Sequence, residues 1–201
     1  MEVVQSRGGH HEGRGRNAHA SLVQSLGQGM LGMLQPLLLA SVTAERDRLA
    51  RAKADGSAPA GAAEDLANLN IIAGDITVYE RRWRARFDRI LRVWPRPAAA
   101  GQTAFSLVSD VELQGQLIGQ PVTEALSHRH ADILDALEKR LWTLAAAMGA
   151  EQPPDNPFSP RELVDAFLGT FSATECGAGL RAALLRRFER LAGARLGEAY
   201  D

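Results

Sequence analysis

The sequence has a single cysteine, few aromatic residues and no apolar run long enough to cross a bilayer. Cys176 alone cannot form an intramolecular disulfide, and such sparse cysteine is typical of proteins in a reducing cytosol. The most apolar stretch, Met30–Val42, is far shorter than a membrane span and contains Gln35 and Pro36. We therefore expect a cytoplasmic protein without a membrane span.

Neither sign of charge dominates the chain. It has 23 lysines and arginines against 24 aspartates and glutamates, so no global field directs it to nucleic acid or an anionic membrane. Alanine, leucine and arginine are abundant, and they favour helices because their side chains lose little freedom there. No segment has the alternation typical of strands, so the predicted fold class is all-α.

The predicted organisation is a disordered tail followed by one elongated bundle of about five to seven helices, with long stripes typical of coiled-coil packing. Residues 1–16 are rich in glycine, arginine and histidine and lack the apolar core of a secretory signal, which indicates the tail. Residues 17–201 are predicted to form a single helical domain. Turn-forming residues indicate breaks near 55–62, 95–104 and 149–158.

Apolar residues at steps of three and four predict a first helix beyond residue 17. A kink or restart is expected near Gln35, because Pro36 cannot donate its backbone hydrogen bond. Residues 45–53 are predicted to be a solvated helix end. The clearest stripe predicts one continuous helix over 64–94, roughly 45 Å long at 1.5 Å per residue.

Two segments carry the signature of a helix start. Ser109 followed by Glu112 fits a capping box, in which the hydroxyl and the carboxylate satisfy free amides. Ser159-Pro160 followed by Glu162 fits the same pattern, with proline at the first helical position. Pro121 is expected to divide the helical region that begins near Ser109.

Three stretches resemble segments of a known family: residues 105–113 (FSLVSDVEL), 155–167 (DNPFSPRELVDAF) and 196–201 (LGEAYD). In order and spacing they resemble the N-terminal part of a proteobacterial family catalogued as domain of unknown function 1631. The sequence departs from the family pattern at Gly115 and Pro121, where the family's helix is more polar and continuous. The resemblance implies no mechanism.

Some relatives in that family are labelled thymidine phosphorylase, an activity that we do not predict. The reaction needs a phosphate cradle, commonly a glycine-rich turn at a helix start, and acid-base groups around a nucleoside. Residues 27–29 (GQG) lie inside an apolar helical pattern with no strand before them. No serine triad motif or P-loop is present. We predict a non-enzymatic protein without a cofactor.

A protein partner or a homo-oligomer is the leading interpretation of the first helix. Its apolar residues exceed what one core-facing stripe requires. The predicted partner-binding residues are Met30, Met33, Leu34, Leu37 and Leu38. The predicted function is a protein-interaction or regulatory module.

A run of arginines offers the alternative of a nucleic-acid or nucleotide-responsive regulator. The arginines concerned are Arg81, Arg82, Arg86, Arg89 and Arg92. They alternate with aromatic residues that belong to the apolar stripe. The favoured interpretation is therefore a purely structural one, the solvated cationic face of an amphipathic helix. Nucleic acid is therefore the less favoured partner.

Two further sets of side chains are of types that can bind metals or act as nucleophiles, but we favour structural roles for both. Glu124, His128 and Asp132 recur every four residues, with His130 nearby, as metal ligands on one helix face would. No second ligand-bearing helix is evident, so we predict no metal site. Cys176 has no histidine close in sequence to activate it, and we predict a partly buried structural cysteine.

Overall fold

The computed structural model describes residues 9–95 and 110–200, and every regular element in these ranges is a helix. The all-α prediction is confirmed. The seven described helices are α1 (Gly9–Ala54), α2 (Ala62–Gly74), α3 (Ile76–Arg92), α4 (Asp110–Arg129), α5 (Ala131–Ala147), α6 (Pro160–Leu168) and α7 (Ala178–Tyr200).

Helix α1 is one continuous element of 46 residues, about 70 Å long at 1.5 Å per residue. It begins at Gly9, so residues 9–16 of the predicted tail belong to it, and residues 1–8 lie outside the described part of the chain. The restart expected near Gln35 is wrong. Pro36 lies on the exposed side, as does Gly32 four residues earlier, so water can reach the carbonyl left without its amide partner.

The single helix predicted over 64–94 is wrong, because the chain breaks at Asp75. Gly74 ends α2, and Asp75 leaves helical geometry with φ −108° and ψ 29° before α3 begins. Both residues have low helix propensity, which makes this the weakest point of the predicted helix. The apolar stripe continues across the break, and Ile72 and Tyr79 are both buried.

Helix α4 also continues through its proline, so the division expected at Pro121 is wrong. Pro121 and Leu117, four residues earlier, both lie on the exposed side of the helix. The break occurs at His130 instead, between α4 and α5. The capping box predicted at Ser109 and Glu112 falls outside the residues whose side chains the structure describes.

The capping predicted at the start of α6 is confirmed for its N-cap. Ser159 is extended, and its hydroxyl accepts a hydrogen bond from the Glu162 amide at 3.3 Å. Pro160 occupies the first turn, where its missing N–H costs no hydrogen bond. This start orients α6 so that Leu163, Val164 and Phe167 are buried.

Buried side chains from all seven described helices form one apolar core. Helix α7 packs along α1 and also contacts α4, α5 and α6, while α2 and α3 pack against α1. At the meeting point of α3, α6 and α7, Trp83 makes edge-to-face contacts with Phe167 and Phe188 at centroid distances of 6.1 and 5.6 Å. Those two phenylalanine rings stack at 4.4 Å.

One charged group lies inside the α1–α7 interface, at the segment predicted to be a solvated helix end. That prediction is wrong for Glu45 and Leu49, which are 2 % and 1 % exposed. The Glu45 carboxylate accepts hydrogen bonds from Arg48 at 2.9 and 2.6 Å and from Arg187 of α7 at 3.0 Å. Burial alone would raise the pKa of Glu45, but the two guanidiniums outweigh burial and lower it.

Candidate functional sites: an apolar groove and an arginine cleft

The residues predicted to bind a partner through α1 lie mostly inside the protein's own core. Met30, Leu34, Leu37 and Leu38 are buried, and Met33 is half-buried. Core packing thus accounts for their apolar character, and together they do not form an exposed face. Met30 differs from the other four residues, because it also lines a surface groove.

The groove lies between the first half of α1 and helix α5 and encloses about 500 Å³. Leu22 and Leu26 form its α1 wall, and they are 48 % and 46 % exposed. Helix α5 contributes a row of residues at helical spacing, of which Leu141 is buried and Leu137 and Leu144 are half-buried. The lining is therefore predominantly apolar and open to solvent.

The remaining wall of the groove comes from two stretches that resemble family motifs. Phe158 belongs to the connector before α6, and Tyr200 ends α7. The Tyr200 hydroxyl donates a hydrogen bond to the Phe158 carbonyl oxygen at 2.8 Å, and burial raises the pKa of Tyr200. This contact holds the two motif stretches together beside α1 and α5.

The predicted arginine face does not form one continuous surface. The Arg81 side chain donates to the Thr77 carbonyl oxygen, and that of Arg84 donates to the side chains of Gln28 and Gln35. Arg89 and Arg92 line two separate depressions, one between α3 and the segment around the start of α6 and one between α3 and α1. Arg82 and Arg86 instead line a cleft shared with α4, α6 and α7.

Arg82 is held at the cleft by a short motif that the sequence reasoning missed. Its Nη1 donates to both Glu175 carboxylate oxygens, at 2.9 and 2.8 Å. Ser172 and Glu175 form a reciprocal capping box: each backbone amide donates to the other side chain, at 3.0 and 3.2 Å. The S-x-x-E spacing was visible in the sequence and could have revealed this turn.

Glu175 is expected to make stability sensitive to acid. Burial raises its pKa, but hydrogen bonds from Ser172 and Arg82 outweigh burial and lower it from 4.5 to about 2. A depressed carboxyl pKa stabilises the fold above the unfolded-state value, about 4.5, and that contribution disappears as pH falls toward 2. The wild-type melting temperature should therefore fall more steeply than that of Glu175→Gln between pH 4.5 and 2. Equal slopes in thermal melts would contradict the assignment.

Arg86 lies against the end of α6. An added Cβ at Gly169 would come within 2.5 Å of the Arg86 Cζ atom, so glycine is what allows the guanidinium to lie there. Burial, followed by repulsion from Arg89 and Arg82, lowers the pKa of Arg86. Within the described ranges, Arg86 forms no hydrogen bond or ion pair.

The cleft has a volume of about 830 Å³ and is lined by four arginines. Arg161 of α6 lies 3.8 Å from the carboxylate of Asp165, which also lines the cleft. Arg181 of α7 is only 4 % exposed, and its buried Nε has no hydrogen-bond partner among the described atoms. Arg161 and Arg181 are not predictable from the arginine run, because they are far from it in the sequence and reach it only through helix packing.

The remaining candidates have structural positions. Cys176 is fully buried, as a structural cysteine would be, and burial followed by the nearby Glu175 charge raises its pKa to about 12. Glu124, His128 and Asp132 are exposed, while His130 packs edge-on against the Tyr200 ring. In the part of the chain that is described, no three His, Cys, Asp or Glu side chains are placed to hold a metal ion.

Comparison with known proteins identifies the family and nothing narrower. The class defined by the fold is a helical bundle, and none of its described helices has the length and apolar character of a membrane span. The chain belongs to the family described as protein of unknown function (DUF1631), N-terminal domain, whose model matches residues 18–201. No curated protein matches the sequence, and no solved structure matches it.

Proposed function

We propose that this protein is a non-enzymatic regulatory module that binds an amphipathic helix of a partner protein in the groove between α1 and α5. The observation that carries the proposal is the exposure of Leu22 and Leu26 on the wall of an apolar groove. Helix-binding grooves accept apolar side chains at steps of three and four residues. Covering exposed leucines on such a wall is favourable, because full burial of one leucine side chain is worth about 1.5–3 kcal/mol.

The groove supports this function better than do the residues predicted from the sequence, which are Met30, Met33, Leu34, Leu37 and Leu38. Four of those side chains, Met30, Leu34, Leu37 and Leu38, are buried in the core, whereas Leu22 and Leu26 lie about one to four turns nearer the start of α1 and stay open to solvent. The non-enzymatic part of the proposal rests on the sequence, which contains no recognised catalytic motif. A second copy of the chain is the other occupant that the groove could accept, as the predicted homo-oligomer requires.

Replacing Leu26 with aspartate is expected to reduce recovery of the partner at least tenfold. The charge would enter the apolar groove on binding and lose its hydration, while the free protein keeps its fold because Leu26 is 46 % exposed. The measurement is affinity capture from a nuclease-treated bacterial lysate with quantitative mass spectrometry, alongside light scattering of the purified chain.

Ile71→Asp is the matched control, since Ile71 is 60 % exposed on α2 and does not line the groove. A protein retained by wild type and Ile71→Asp but lost from Leu26→Asp supports the proposal. A dimer that only Leu26→Asp disrupts would identify a second copy as the occupant. Identical protein recovery by all three chains would reject the groove.

The alternative, a nucleic-acid or nucleotide-responsive regulator, would use the arginines of α3. It is the weaker candidate because Arg81, Arg82 and Arg84 already donate to neighbouring groups. Loss of captured material after nuclease treatment, with steep salt dependence, would favour it over the groove. Charge reversal at Arg82, Arg86 and Arg89 without loss of nucleic-acid binding would remove it.

A further inference from the structure

We propose that the arginine cleft binds a phosphorylated small molecule of about nucleotide size, whose phosphoryl oxygens accept hydrogen bonds from Arg86 and Arg181. This site is separate from the groove between α1 and α5, and the two have no lining residue in common. Binding of an anion in the cleft therefore goes beyond the proposed function, and it can be tested independently of partner binding in the groove.

The burial of Arg181 without a counter-charge is the strongest observation in favour of an anion site. Its side chain is 4 % exposed, its Nε is buried without an acceptor, and none of the described carboxylates forms an ion pair with it. Burying a guanidinium without a counter-charge is unfavourable, because the lost hydration is not replaced. An anion in the cleft, which Arg181 lines, would supply the missing counter-charge.

Arg86 of α3 supplies a second cation in the cleft lining that forms no ion pair with a described carboxylate. It lies beside Gly169, where any side chain larger than hydrogen would push the guanidinium away. The end of α6 gives some compensation, since helix C-termini carry partial negative charge. That electrostatic interaction offers a reason for the position of Arg86, but it offers none for the burial of Arg181.

The charge balance of the lining favours an anion with more than one negative charge. The lining contains four guanidiniums and one carboxylate, that of Asp165, which lies near Arg161. Glu175, which is not part of the lining, pairs with Arg82. Two arginines, Arg86 and Arg181, are left to be matched. A phosphoryl group fits this pair, because it carries up to two charges and its oxygens accept the forked hydrogen bonds of guanidinium.

The dimensions favour a small molecule over a nucleic-acid strand. The cleft encloses about 830 Å³, within the range of small-molecule sites and much larger than one phosphate ion. Arg181 lies at depth, whereas backbone-binding surfaces for nucleic acids expose their arginines along a track. Gln116 adds an exposed polar side chain that can bind the rest of the ligand.

The test compares Arg181→Met with wild type, using pyrophosphate and ATP as probes against sodium chloride at matched ionic strength. Thermal melts and isothermal titration calorimetry of the 201-residue chain give stability and affinity. Arg190→Met is the matched control, because Arg190 is an exposed arginine of the same helix that does not line the cleft.

We expect pyrophosphate or ATP to raise the melting temperature of wild type and Arg190→Met, since a ligand that binds only the folded state stabilises it. Arg181→Met should bind at least about tenfold more weakly, the loss typical of a charged hydrogen bond. Without ligand it should melt no lower than wild type, because methionine removes an uncompensated buried charge.

Gly169→Ala provides a second, conservative variant. Gly169 has φ −71°, so alanine is compatible with the backbone, and its Cβ would displace only the end of the Arg86 side chain. Its folding should be retained and its affinity for the probe reduced. Absence of binding by wild type, or equal binding by wild type, Arg181→Met and Gly169→Ala, would overturn the proposal.

Discussion

Replacing Trp83 with alanine is expected to lower the free energy of unfolding by about 3–5 kcal/mol. Trp83 is 1 % exposed and contacts the rings of Phe167 and Phe188, so its removal leaves a cavity where α3, α6 and α7 meet. The measurement is urea denaturation followed by circular dichroism, with the slope against urea checked for change.

Trp142→Ala is the control for this effect, because Trp142 is the same residue type but only half-buried. It should cost clearly less than Trp83→Ala. Trp83→Phe should also cost less, since it keeps a ring in the cluster and removes an indole N–H that has no described hydrogen-bond partner. Equal losses at Trp83 and Trp142 would show that the aromatic cluster is not a centre of stability.

Replacing Glu45 with alanine is the second large expected effect, a loss of about 2–4 kcal/mol in the free energy of unfolding. The change removes a buried carboxylate that joins α1 to α7 and leaves Arg48 and Arg187 without their acceptor. The partial exposure of both arginines keeps the loss below that of a fully buried pair.

Asp135→Ala tests whether this loss comes from burial or from ion pairing alone. Asp135 pairs with Lys139 at 2.6 Å on the surface, where both side chains are well exposed. Exposed pairs contribute little, so no measurable change in stability is expected. Similar losses for Glu45→Ala and Asp135→Ala would contradict the role assigned to burial.

The sequence predicted the fold class because helical spacing is a local property. It misplaced the breaks, because spacing alone cannot distinguish one helix from two that keep the same face inward across Asp75. The breaks expected at the two prolines do not occur, for a related reason. Pro36 and Pro121 lie on solvent-facing sides, where a lost backbone hydrogen bond can be replaced by water.

The candidate sites were predicted only where one segment carried the signal. Arg82 and Arg86 were found in a basic run, but Arg161 and Arg181 join them through contacts between α3, α6 and α7. The burial of Glu45 has the same origin, since its partner Arg187 lies on α7, far from it in the sequence. Local charge patterns cannot show which polar residues become buried when distant helices meet.

The packing of α7 along α1 also has a consequence for the order in which the protein folds. Helix α1 can pack against α7 only after residues 178–200 have left the ribosome. At 5–20 residues per second this is on the order of ten seconds after α1 itself is synthesised. During that interval Glu45 lacks its hydrogen bond from Arg187 of α7. Until α7 docks, the face of α1 that it covers stays open to contacts with other chains.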